Sequence, residues 1–347
     1  MADHKIDGND GAGNVQIKCK HIVNISGGKD SAATALIAEE RGVEFELWMA
    51  DTGNEHHVTV EHAHYLADFL GKPLNIARMD FSDKIAKKRK FVLEKWTQQG
   101  VSQSIIDDAL AVLEPTGNPF IDLCIWKGRF PSRKAQFCTE WLKSNAMDVD
   151  CVGPALDAGP VCQWLGVRRD ESLNRRNSPM FQRVRRADKP HNMLFFRPII
   201  HWTAQNVFEY AKRRGLKPNP LYMQGFARVG CFPCINASKA ELRQIGKVYP
   251  EAAARIAEWE HIVSSASKIG KSTFFAPDVT PQGADIGRRA KAKGGLTAEE
   301  SADQKWPDAN SVFEWAKTGR GGRMVDMVDM MMEDDGLSCT SQYGLCE

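Results

Sequence analysis

Short hydrophobic runs alternate with amphipathic segments in the N-terminal part of the chain. Residues 21–25, 45–50 and 74–77 are apolar runs of strand length. The first two are followed by residues 31–40 and 58–70, in which the apolar positions have helical spacing. Because strands that alternate with helices form parallel sheets with crossover helices, this pattern predicts an α/β fold with a doubly wound, mostly parallel sheet.

The later part of the chain has a less regular pattern. Residues 84–98 predict a basic amphipathic helix, residues 165–167 a late strand, and residues 204–214 a further helix. Residues 272–301 are dense in Gly, Ala, Lys and Pro, which indicates a loop or a partly ordered insert. We therefore expect a flexible lead-in at 1–18, an α/β domain at 19–200, and a helical, cysteine-bearing C-terminal part at 201–347.

Composition narrows the class of protein. The 347 residues include 46 basic and 44 acidic side chains, so the net charge of +2 gives the whole molecule little attraction for nucleic acid or membranes. No apolar leader and no apolar run of membrane-spanning length is present. Nine cysteines, an odd number in such a chain, indicate free thiols or metal ligands in a reducing compartment. We predict a soluble, cytoplasmic protein.

A glycine turn follows the first predicted strand. Gly27 and Gly28 let the backbone approach a ligand closely, and the helix after them presents unpaired N–H groups to an anion. Lys29 adds a positive charge, and the hydroxyl groups of Ser26 and Ser31 can donate to phosphate oxygens. The turn is therefore predicted to bind phosphate. The alternative is an ordinary glycine-rich connection between a strand and a helix.

Charged residues follow the ends of two predicted strands. Asp51 lies at the edge where doubly wound sheets bind their ligands, so it is either a nucleotide contact or a cap of the next helix. Glu55 has the same two interpretations. Arg168, Arg169 and Arg175 come after the late apolar run, and guanidinium groups there could grip sulfate or phosphate through paired hydrogen bonds. The alternative for these arginines is a solvated basic loop.

The cysteines predict a second kind of site. Cys231 and Cys234 form a CxxC pair, a spacing that lets two thiolates bind one metal or form a redox pair. Cys138, Cys339 and Cys346 are candidate further ligands, because iron–sulfur clusters are commonly held by thiolates distant in sequence; the alternative is that they are buried or free thiols. The other four are interpreted as structural: Cys19, Cys124, Cys151 and Cys162.

A run of basic residues on the predicted helix at 84–98 is compatible with nucleic-acid binding. Lysine and arginine clusters of this kind suit a phosphate backbone, although most charge runs are solvated helix faces. The residues concerned are Lys84, Lys87, Lys88, Arg89 and Lys90.

Six motifs occur in the order in which they are found in a known family. They are SGGKDS at 26–31, DTGNE at 51–55, FCTEWLK at 137–143, LGVRRDES at 165–172, RPIIHWT at 197–203 and GCFPC at 230–234. Together they resemble the phosphoadenosine phosphosulfate (PAPS) reductase family, and SGGKDS resembles the PP-loop of ATP pyrophosphatases. The resemblance implies an adenine nucleotide alpha-hydrolase-like fold, a nucleotide held in the PP-loop of the domain at 19–200, Asp30 helping to hold Mg²⁺, and arginines on the anionic end of the nucleotide.

Two departures from the family change the expectation. Reductases of activated sulfonucleotides usually have a degraded PP-loop, whereas this one is intact and suits a pyrophosphate leaving group, so ATP is favoured over PAPS or adenylylsulfate. Cluster-bearing adenylylsulfate reductases have a Cys-Cys pair where this chain has Cys138-Thr139. A [4Fe-4S] cluster would then have three protein ligands or take a fourth from Cys339 or Cys346. The nearest analogy is the DNA phosphorothioation sulfurtransferases, which combine an intact PP-loop with a cluster.

The resemblance leads first to a sulfur-transfer hypothesis. ATP binds with Mg²⁺, an acceptor oxygen attacks the α-phosphate, pyrophosphate leaves, and sulfur then displaces AMP. Lys29, Arg168 and Arg169 would stabilise charge on the phosphates. A cysteine desulfurase or a thioredoxin-like protein would supply sulfur, the acceptor would be a nucleic acid or a small molecule, and a homodimer is left open. The implied cluster ligands are Cys138, Cys231 and Cys234.

Two alternatives stay open. The protein could release sulfite from PAPS or adenylylsulfate, with Cys346 or the cluster acting on the sulfur. It could also be a nucleotide-binding subunit without catalytic activity, in which the CxxC pair is only structural. Thioredoxin-dependent sulfite production without ATP consumption would favour the first of these, and absence of any turnover would favour the second.

Overall fold

A six-stranded sheet forms the centre of the molecule. The computed structural model describes residues 19–171, 175–295, 300 and 304–319, so the predicted lead-in at 1–18 lies outside the described residues. The strands are Lys20–Ile25 (β1), Phe45–Asp51 (β2), Leu74–Arg78 (β3), Val161–Trp164 (β4), Phe181–Val184 (β5) and Met193–Phe196 (β6).

The strand order is β3-β2-β1-β4-β6-β5. β1 pairs in parallel with β2 and β4, β2 with β3 and β4 with β6, whereas β5 joins β6 in antiparallel orientation. The predicted α/β class with a mostly parallel sheet is therefore confirmed. Because the chain runs from β1 to one side and later returns to its other side at β4, the carboxyl ends of these two strands form the crevice in which such sheets bind ligands.

Helices cover both faces of the sheet and form the C-terminal part. The helix Lys29–Glu40 contains an unbroken row of buried residues from Ser31 to Ala38, and its small side chains let it pack closely against β1 and the helix Ala204–Arg213. The helices are Lys29–Glu40 (α1), His57–Phe69 (α2), Ser82–Phe91 (α3), Gln103–Val112 (α4), Pro119–Lys127 (α5), Phe137–Thr139 (α6), Gly153–Ala158 (α7), Ala204–Arg213 (α8), Pro220–Met223 (α9), Lys239–Val248 (α10), Glu251–Ser265 (α11), Pro281–Ala292 (α12) and Ala309–Lys317 (α13).

The late strand was predicted three residues too far along the chain. β4 ends at Trp164, and residues 165–167 already leave the sheet. The reason is a close approach to α1: a Cβ at Gly166 would lie 2.6 Å from the backbone carbon of Asp30. The chain must turn at this point to pass the first turn of α1.

The segment 272–301 was predicted as a loop or a partly ordered insert, and the loop alternative is wrong for its described part. It contains α12, and Thr280 caps the N-terminus of this helix. The Thr280 hydroxyl oxygen accepts a hydrogen bond from the Gly283 N–H at 3.2 Å. Phe274 and Phe275 just before it are buried. An N-cap threonine followed by Pro281 at the first helical position outweighed the loop-like composition. By contrast, the helix predicted at 84–98 is confirmed, since α3 continues as a π turn, Val92–Trp96, and a 3₁₀ turn, Thr97–Gln99.

Two main hydrophobic cores hold these layers together. One lies between the sheet and α1, α2 and α8. The other joins α3, α4 and α5 to α10, α11 and α13, so the C-terminal helices pack against residues 81–142 of the preceding part. The domain boundary at residue 200 stays a prediction. None of the described helices is long and apolar enough to cross a lipid bilayer.

Candidate functional site

The glycine turn between β1 and α1 is held in shape by its own serines. The Ser26 N–H donates to the Ser31 Oγ at 3.1 Å, and the Ser31 hydroxyl donates to the Gly28 carbonyl at 3.0 Å. Gly28 precedes the first helical residue and no side chain caps the helix there. The N-terminus of α1 therefore faces the crevice with backbone donors suited to an anion.

Two glycines are required by close packing around this turn. Gly27 has a φ of +68°, and a Cβ there would lie 2.2 Å from the Thr59 carbonyl oxygen of α2. Gly166 brings the chain after β4 against Asp30 and Ser31 of α1. The loop is therefore enclosed from both sides by backbone, so neither position can take a side chain without displacing it.

Lys29, Asp30 and Arg168 form a nearly buried charged group at the start of α1. The Asp30 carboxylate accepts from the Arg168 Nε at 2.5 Å and from the Lys29 Nζ at 3.0 Å. Arg168 has 4% of its surface exposed, and its NH1 group also contacts Asp170. Arg168 thus reaches the glycine loop from the end of β4, the strand beside β1. Asp30 was predicted to help hold Mg²⁺, and both of its carboxylate oxygens are bound to protein cations, Arg168 and Lys29.

The other predicted arginines have local partners. The Arg169 Nε donates to the Ser178 carbonyl at 3.1 Å, and Arg175 forms an ion pair with Glu171. Their role in binding the anionic end of a nucleotide stays a prediction. Among the three arginines, Arg168 is the one that directly contacts a residue of the glycine loop through a described interaction.

A segment far along the chain closes over the glycine loop. The buried Asn219 Nδ2 donates to the Gly27 carbonyl at 2.9 Å, and the Tyr222 hydroxyl accepts from the Lys29 N–H at 3.1 Å. The Val229 side chain would touch a Cβ built on Gly28 at 3.4 Å. Val229 is two residues before Cys231, a span of at most about 7 Å along an extended chain. The thiol loop therefore lies close to the glycine loop.

The carboxyl end of β2 supports the thiol loop from the other side. Glu55 forms a β-bridge with Cys231, and the Phe232 N–H donates to the Asn54 carbonyl at 2.7 Å. The Glu55 carboxylate accepts from the Thr52 hydroxyl at 2.6 Å, and burial raises the pKa of Glu55. Asp51 instead forms an ion pair with Arg78 at 2.7 Å. Glu55 thus belongs to the thiol site, while a nucleotide contact through Asp51 stays a prediction.

Three predicted thiols lie within electrostatic range of one another. Burial raises the pKa of Cys138 and raises that of Cys231 to about 11, and in both cases the nearby Lys143 ammonium opposes the rise. The thiolate of Cys231 in turn raises the pKa of Lys143, with smaller contributions from Glu55, Cys234 and Cys138. Asn236 donates its N–H to the Cys234 sulfur at 3.5 Å. These groups form one thiol site around an exposed lysine.

A second basic residue faces the thiol site. Desolvation lowers the pKa of Arg228, but Cys234, Glu241 and Cys231 outweigh it, so the pKa is raised. Within the described part of the chain, no three His, Cys, Asp or Glu side chains are placed to hold one metal ion. Cys339 and Cys346 lie outside the described residues. Of the four cysteines interpreted as structural, Cys124, Cys151 and Cys162 are buried and Cys19 is half-buried; their structural role stays a prediction.

Several residues of the site were not identified from the sequence. Asn219 and Tyr222 lie between the predicted helix at 204–214 and the CxxC pair, where no helix was predicted, although Asn219-Pro220 is a usable helix-start signal. Lys143 and Arg228 stand close to cysteines in sequence or in space, but no local pattern marks them as their electrostatic partners. No turn signal in the sequence marks Gly166. A glycine is needed there because α1 lies too close for a side chain, and α1 is distant in sequence.

Comparison with known proteins connects this site to a family. The sequence profile of the phosphoadenosine phosphosulfate reductase domain matches residues 20–237. An uncharacterised 37.8 kDa protein from the gpa 5′ region of Escherichia phage 186 is 43% identical over 338 residues, which cover 94% of this chain and 96% of that protein. Adenosine 5′-phosphosulfate reductase 1 of Bacillus subtilis is 36% identical over 81 residues, or 23% of this chain and 32% of that enzyme. A phosphoadenylyl-sulfate reductase structure from Candida auris aligns with a TM-score of 0.37 and 13% identity, covering 62% of this chain and 82% of that one.

Proposed function

This chain belongs to the phosphoadenosine phosphosulfate reductase family, and we propose that it is an ATP-dependent sulfur-transfer enzyme of that family. ATP, accompanied by Mg²⁺, would bind at residues 26–31, and an acceptor oxygen would attack the α-phosphate and release pyrophosphate. Sulfur then displaces AMP, so that a carbon–sulfur bond forms as the oxygen leaves with AMP. Such chemistry depends mainly on positioning and on stabilising charge.

One observation carries this proposal: a single segment joins the glycine loop to the thiols. Asn219 and Tyr222 bind the loop backbone, and Val229 packs near Gly28 before the chain reaches Cys231. A nucleotide on the loop would therefore have thiol groups beside its phosphates. An intact anion site and a thiol site in one crevice are the two components that activation by ATP and sulfur delivery require.

The charged group at the start of α1 supports the nucleotide step. Lys29 and Arg168 are held on the Asp30 carboxylate, so both cations are already oriented when a phosphate arrives. Preorganised cations in a site of low solvent access stabilise developing negative charge better than mobile ones do. We propose that Lys29 and Arg168 contact the phosphates and that Asp30 orients them.

The electrostatics of the thiol site support the sulfur step. A thiolate, rather than a thiol, carries or attacks sulfur, and burial alone would suppress it at Cys231. Lys143 opposes that suppression at Cys138 and Cys231, and Arg228 faces Cys231 and Cys234. We propose that a cysteine desulfurase transfers sulfur to one of these thiols as a persulfide. When the outer sulfur displaces AMP from the acceptor, a neighbouring thiol attacks the inner sulfur, so the S–S bond to the outer sulfur breaks and a disulfide forms between the two cysteines. A thioredoxin-like protein then reduces this disulfide.

The iron–sulfur cluster implied by the family resemblance does not fit the described residues as they stand. Cys138, Cys231 and Cys234 influence one another, yet they do not form a three-ligand metal site. The proposed sulfur transfer therefore uses the thiols themselves. Iron and sulfide analysis of anaerobically purified protein, beside the Cys231→Ala/Cys234→Ala variant, tests it: about four irons, lost in the variant, would establish a cluster.

Calorimetric titration separates the candidate nucleotides. We expect MgATP to bind more tightly than adenylylsulfate or PAPS. Lys29→Ala should weaken that binding, while the exposed control Lys95→Ala should not. Pyrophosphate release in the presence of extracted RNA, DNA or sulfide should fall by about 100-fold in Lys29→Ala. If Lys29→Ala bound each of the three nucleotides as tightly as wild type does, the glycine loop would be rejected as the nucleotide site.

The second candidate is release of sulfite from a sulfonucleotide. It is favoured by the local similarity to adenosine 5′-phosphosulfate reductase, which covers a minor part of either chain. Sulfite production driven by thioredoxin, with adenylylsulfate bound more tightly than ATP and no pyrophosphate released, would decide for this reaction. Pyrophosphate release that depends on Lys29 would decide against it.

A further inference from the structure

A basic groove lies beside the thiol site, between α3, the end of α5 and the segment after α11. It has a volume of about 690 Å³ and no acidic residue in its lining. Such a volume is in the range of sites for small molecules or single polymer units. Seven basic residues line it: Lys84, Lys87, Lys88, Lys127, Arg129, Lys268 and Lys271.

The positive charge of the groove is not cancelled by ion pairs. Among the described residues, none of the seven lies within 4.0 Å of a carboxylate. Glu140 acts on Lys127 and Asp308 on Lys271 only from a longer range. Lys88 has a structural role, since its ammonium donates to the carbonyls of Ile125 and Ala266 at 2.7 and 2.8 Å. The Lys268 ammonium donates to the Gln99 side-chain oxygen at 2.9 Å, and the Lys271 ammonium donates to the Gln304 carbonyl at 2.8 Å. Four basic residues therefore remain available for an anionic ligand: Lys84, Lys87, Lys127 and Arg129.

Aromatic rings alternate with these cations. The Lys127 ammonium lies 3.9 Å from the centre of the Trp126 ring, and Lys84 lies 4.8 Å from that of Trp141. Phe91, which also lines the groove, is 49% exposed. The exposed Phe91 ring and the half-buried Trp126 ring lie among cations in this groove. Such a surface suits unstacked bases on the rings and backbone phosphates on the cations.

The groove leads to the thiol site. Lys127 and Arg129 contact the Phe137 ring at 5.9 and 5.7 Å, and Phe137 is followed directly by Cys138. Trp141 lies two residues before Lys143, the lysine that acts on all three thiols. A polymer in the groove would therefore have one unit beside the sulfur-carrying groups.

We propose that this basic groove binds single-stranded nucleic acid and that the bound strand is the sulfur acceptor. The inference rests on the proposed sulfur-transfer function, whose acceptor it names. A duplex would not fit a groove of this volume, and its stacked bases could not reach the rings. An acidic peptide would satisfy the cations and leave the aromatic surface unused.

Fluorescence anisotropy tests the groove on the full-length protein. The probes are labelled oligothymidylate and oligouridylate of about 20 nucleotides, a duplex of the same length, and polyglutamate as a competitor. Lys84→Gln/Lys87→Gln removes two groove charges, and the matched control Lys90→Gln/Lys95→Gln removes two exposed charges from the same helical stretch outside the groove. Phe91→Ala removes the ring, with the exposed Phe69→Ala as its control.

We expect both single strands to bind and the duplex to bind more weakly. The groove charge variant should lower the slope of log affinity against log salt by about 1.4, at 0.7 per phosphate. Phe91→Ala should weaken binding by about fivefold or more. Both control variants should behave as wild type. Preference for oligouridylate or for oligothymidylate would identify RNA or DNA as the strand.

Three results would overturn the groove assignment: no binding of either oligonucleotide at low salt, equal binding of duplex, or displacement by polyglutamate with Phe91→Ala unchanged. MgATP affinity is measured on the same variants to keep the two proposals apart. Normal ATP binding without oligonucleotide binding rejects the groove alone. Oligonucleotide binding without ATP binding rejects the nucleotide site and leaves the groove standing.

Discussion

Replacing Gly27 with alanine would place a methyl group 2.2 Å from the Thr59 carbonyl oxygen in α2. The residue would also keep a φ of +68°, which is unfavourable for any side chain. The backbone term alone is about 1 kcal/mol and the overlap adds about 1–3 kcal/mol. We therefore expect the free energy of unfolding to fall by about 2–4 kcal/mol, and the glycine loop to shift.

Two other glycines separate these contributions. Gly42 has a φ of +61° with nothing within 4 Å of an added Cβ, so Gly42→Ala measures the backbone term, about 1 kcal/mol. Gly166 does not require a positive φ, but its Cβ would meet Asp30 at 2.6 Å, so Gly166→Ala measures overlap, about 1–3 kcal/mol. The three variants together divide the effect at Gly27 into its two causes.

Urea denaturation and MgATP titration of the three variants provide the measurements. Gly27→Ala and Gly166→Ala should each lose at least about tenfold in ATP affinity, which is about 1.4 kcal/mol, because both displace the start of α1. Gly42→Ala should bind ATP as wild type does. If Gly27→Ala were no less stable than Gly42→Ala and bound ATP normally, the close packing of the loop against α2 would be refuted.

Three further variants test the electrostatics. Lys143→Ala should raise the pKa of Cys231 and slow its alkylation by iodoacetamide at a fixed pH near 8, whereas the exposed Lys95→Ala should not; an unchanged rate would exclude the pairing. Burial raises the pKa of Glu260 from 4.5 to about 7, so the folded state holds a proton that the unfolded chain has lost. The free energy of unfolding should therefore decline as pH rises between these values, and Glu260→Gln should abolish that part of the slope; a wild-type slope in the variant would contradict it. Arg168→Ala should lower the free energy of unfolding by about 3 kcal/mol in urea denaturation. The loss should be clearly smaller in an Asp30→Asn background, because the buried ion pair is then already absent. Equal losses in both backgrounds would show that Arg168 and Asp30 are not coupled.

Local sequence patterns were sufficient to predict elements whose conformation depends on residues that are near one another in sequence. The runs at 21–25, 45–50 and 74–77 predicted three parallel strands, and the glycines after β1 predicted the turn into α1. The prediction was wrong at 165–167, and the loop alternative was wrong for the helical part of 272–301. In the first segment α1 forces the chain out of the sheet, and in the second a threonine cap and buried phenylalanines override a loop-like composition.

Contacts between distant parts of the chain could not be predicted in the same way. Arg168 reaches Asp30 across 138 positions, and Asn219 reaches Gly27 across 192. The sequence named Arg168 as one of three equivalent arginines, and only the strand order places it, rather than Arg169, against α1. Lys143 became part of the thiol site because it packs beside a loop that follows much later in the chain.

The amino-acid sequence by itself determined the α/β architecture, the glycine turn after β1 and the identity of the thiols, since these depend on hydrophobic spacing, backbone freedom at glycine and side-chain chemistry. The tertiary structure decided which of these features share one crevice. Packing of the segment from Asn219 to Cys231 over the glycine loop brings this loop close to the thiols. Packing of α3 against α5 and the end of α11 assembles scattered lysines into a groove. Such convergence depends on burial of distant apolar surfaces, which local sequence does not encode.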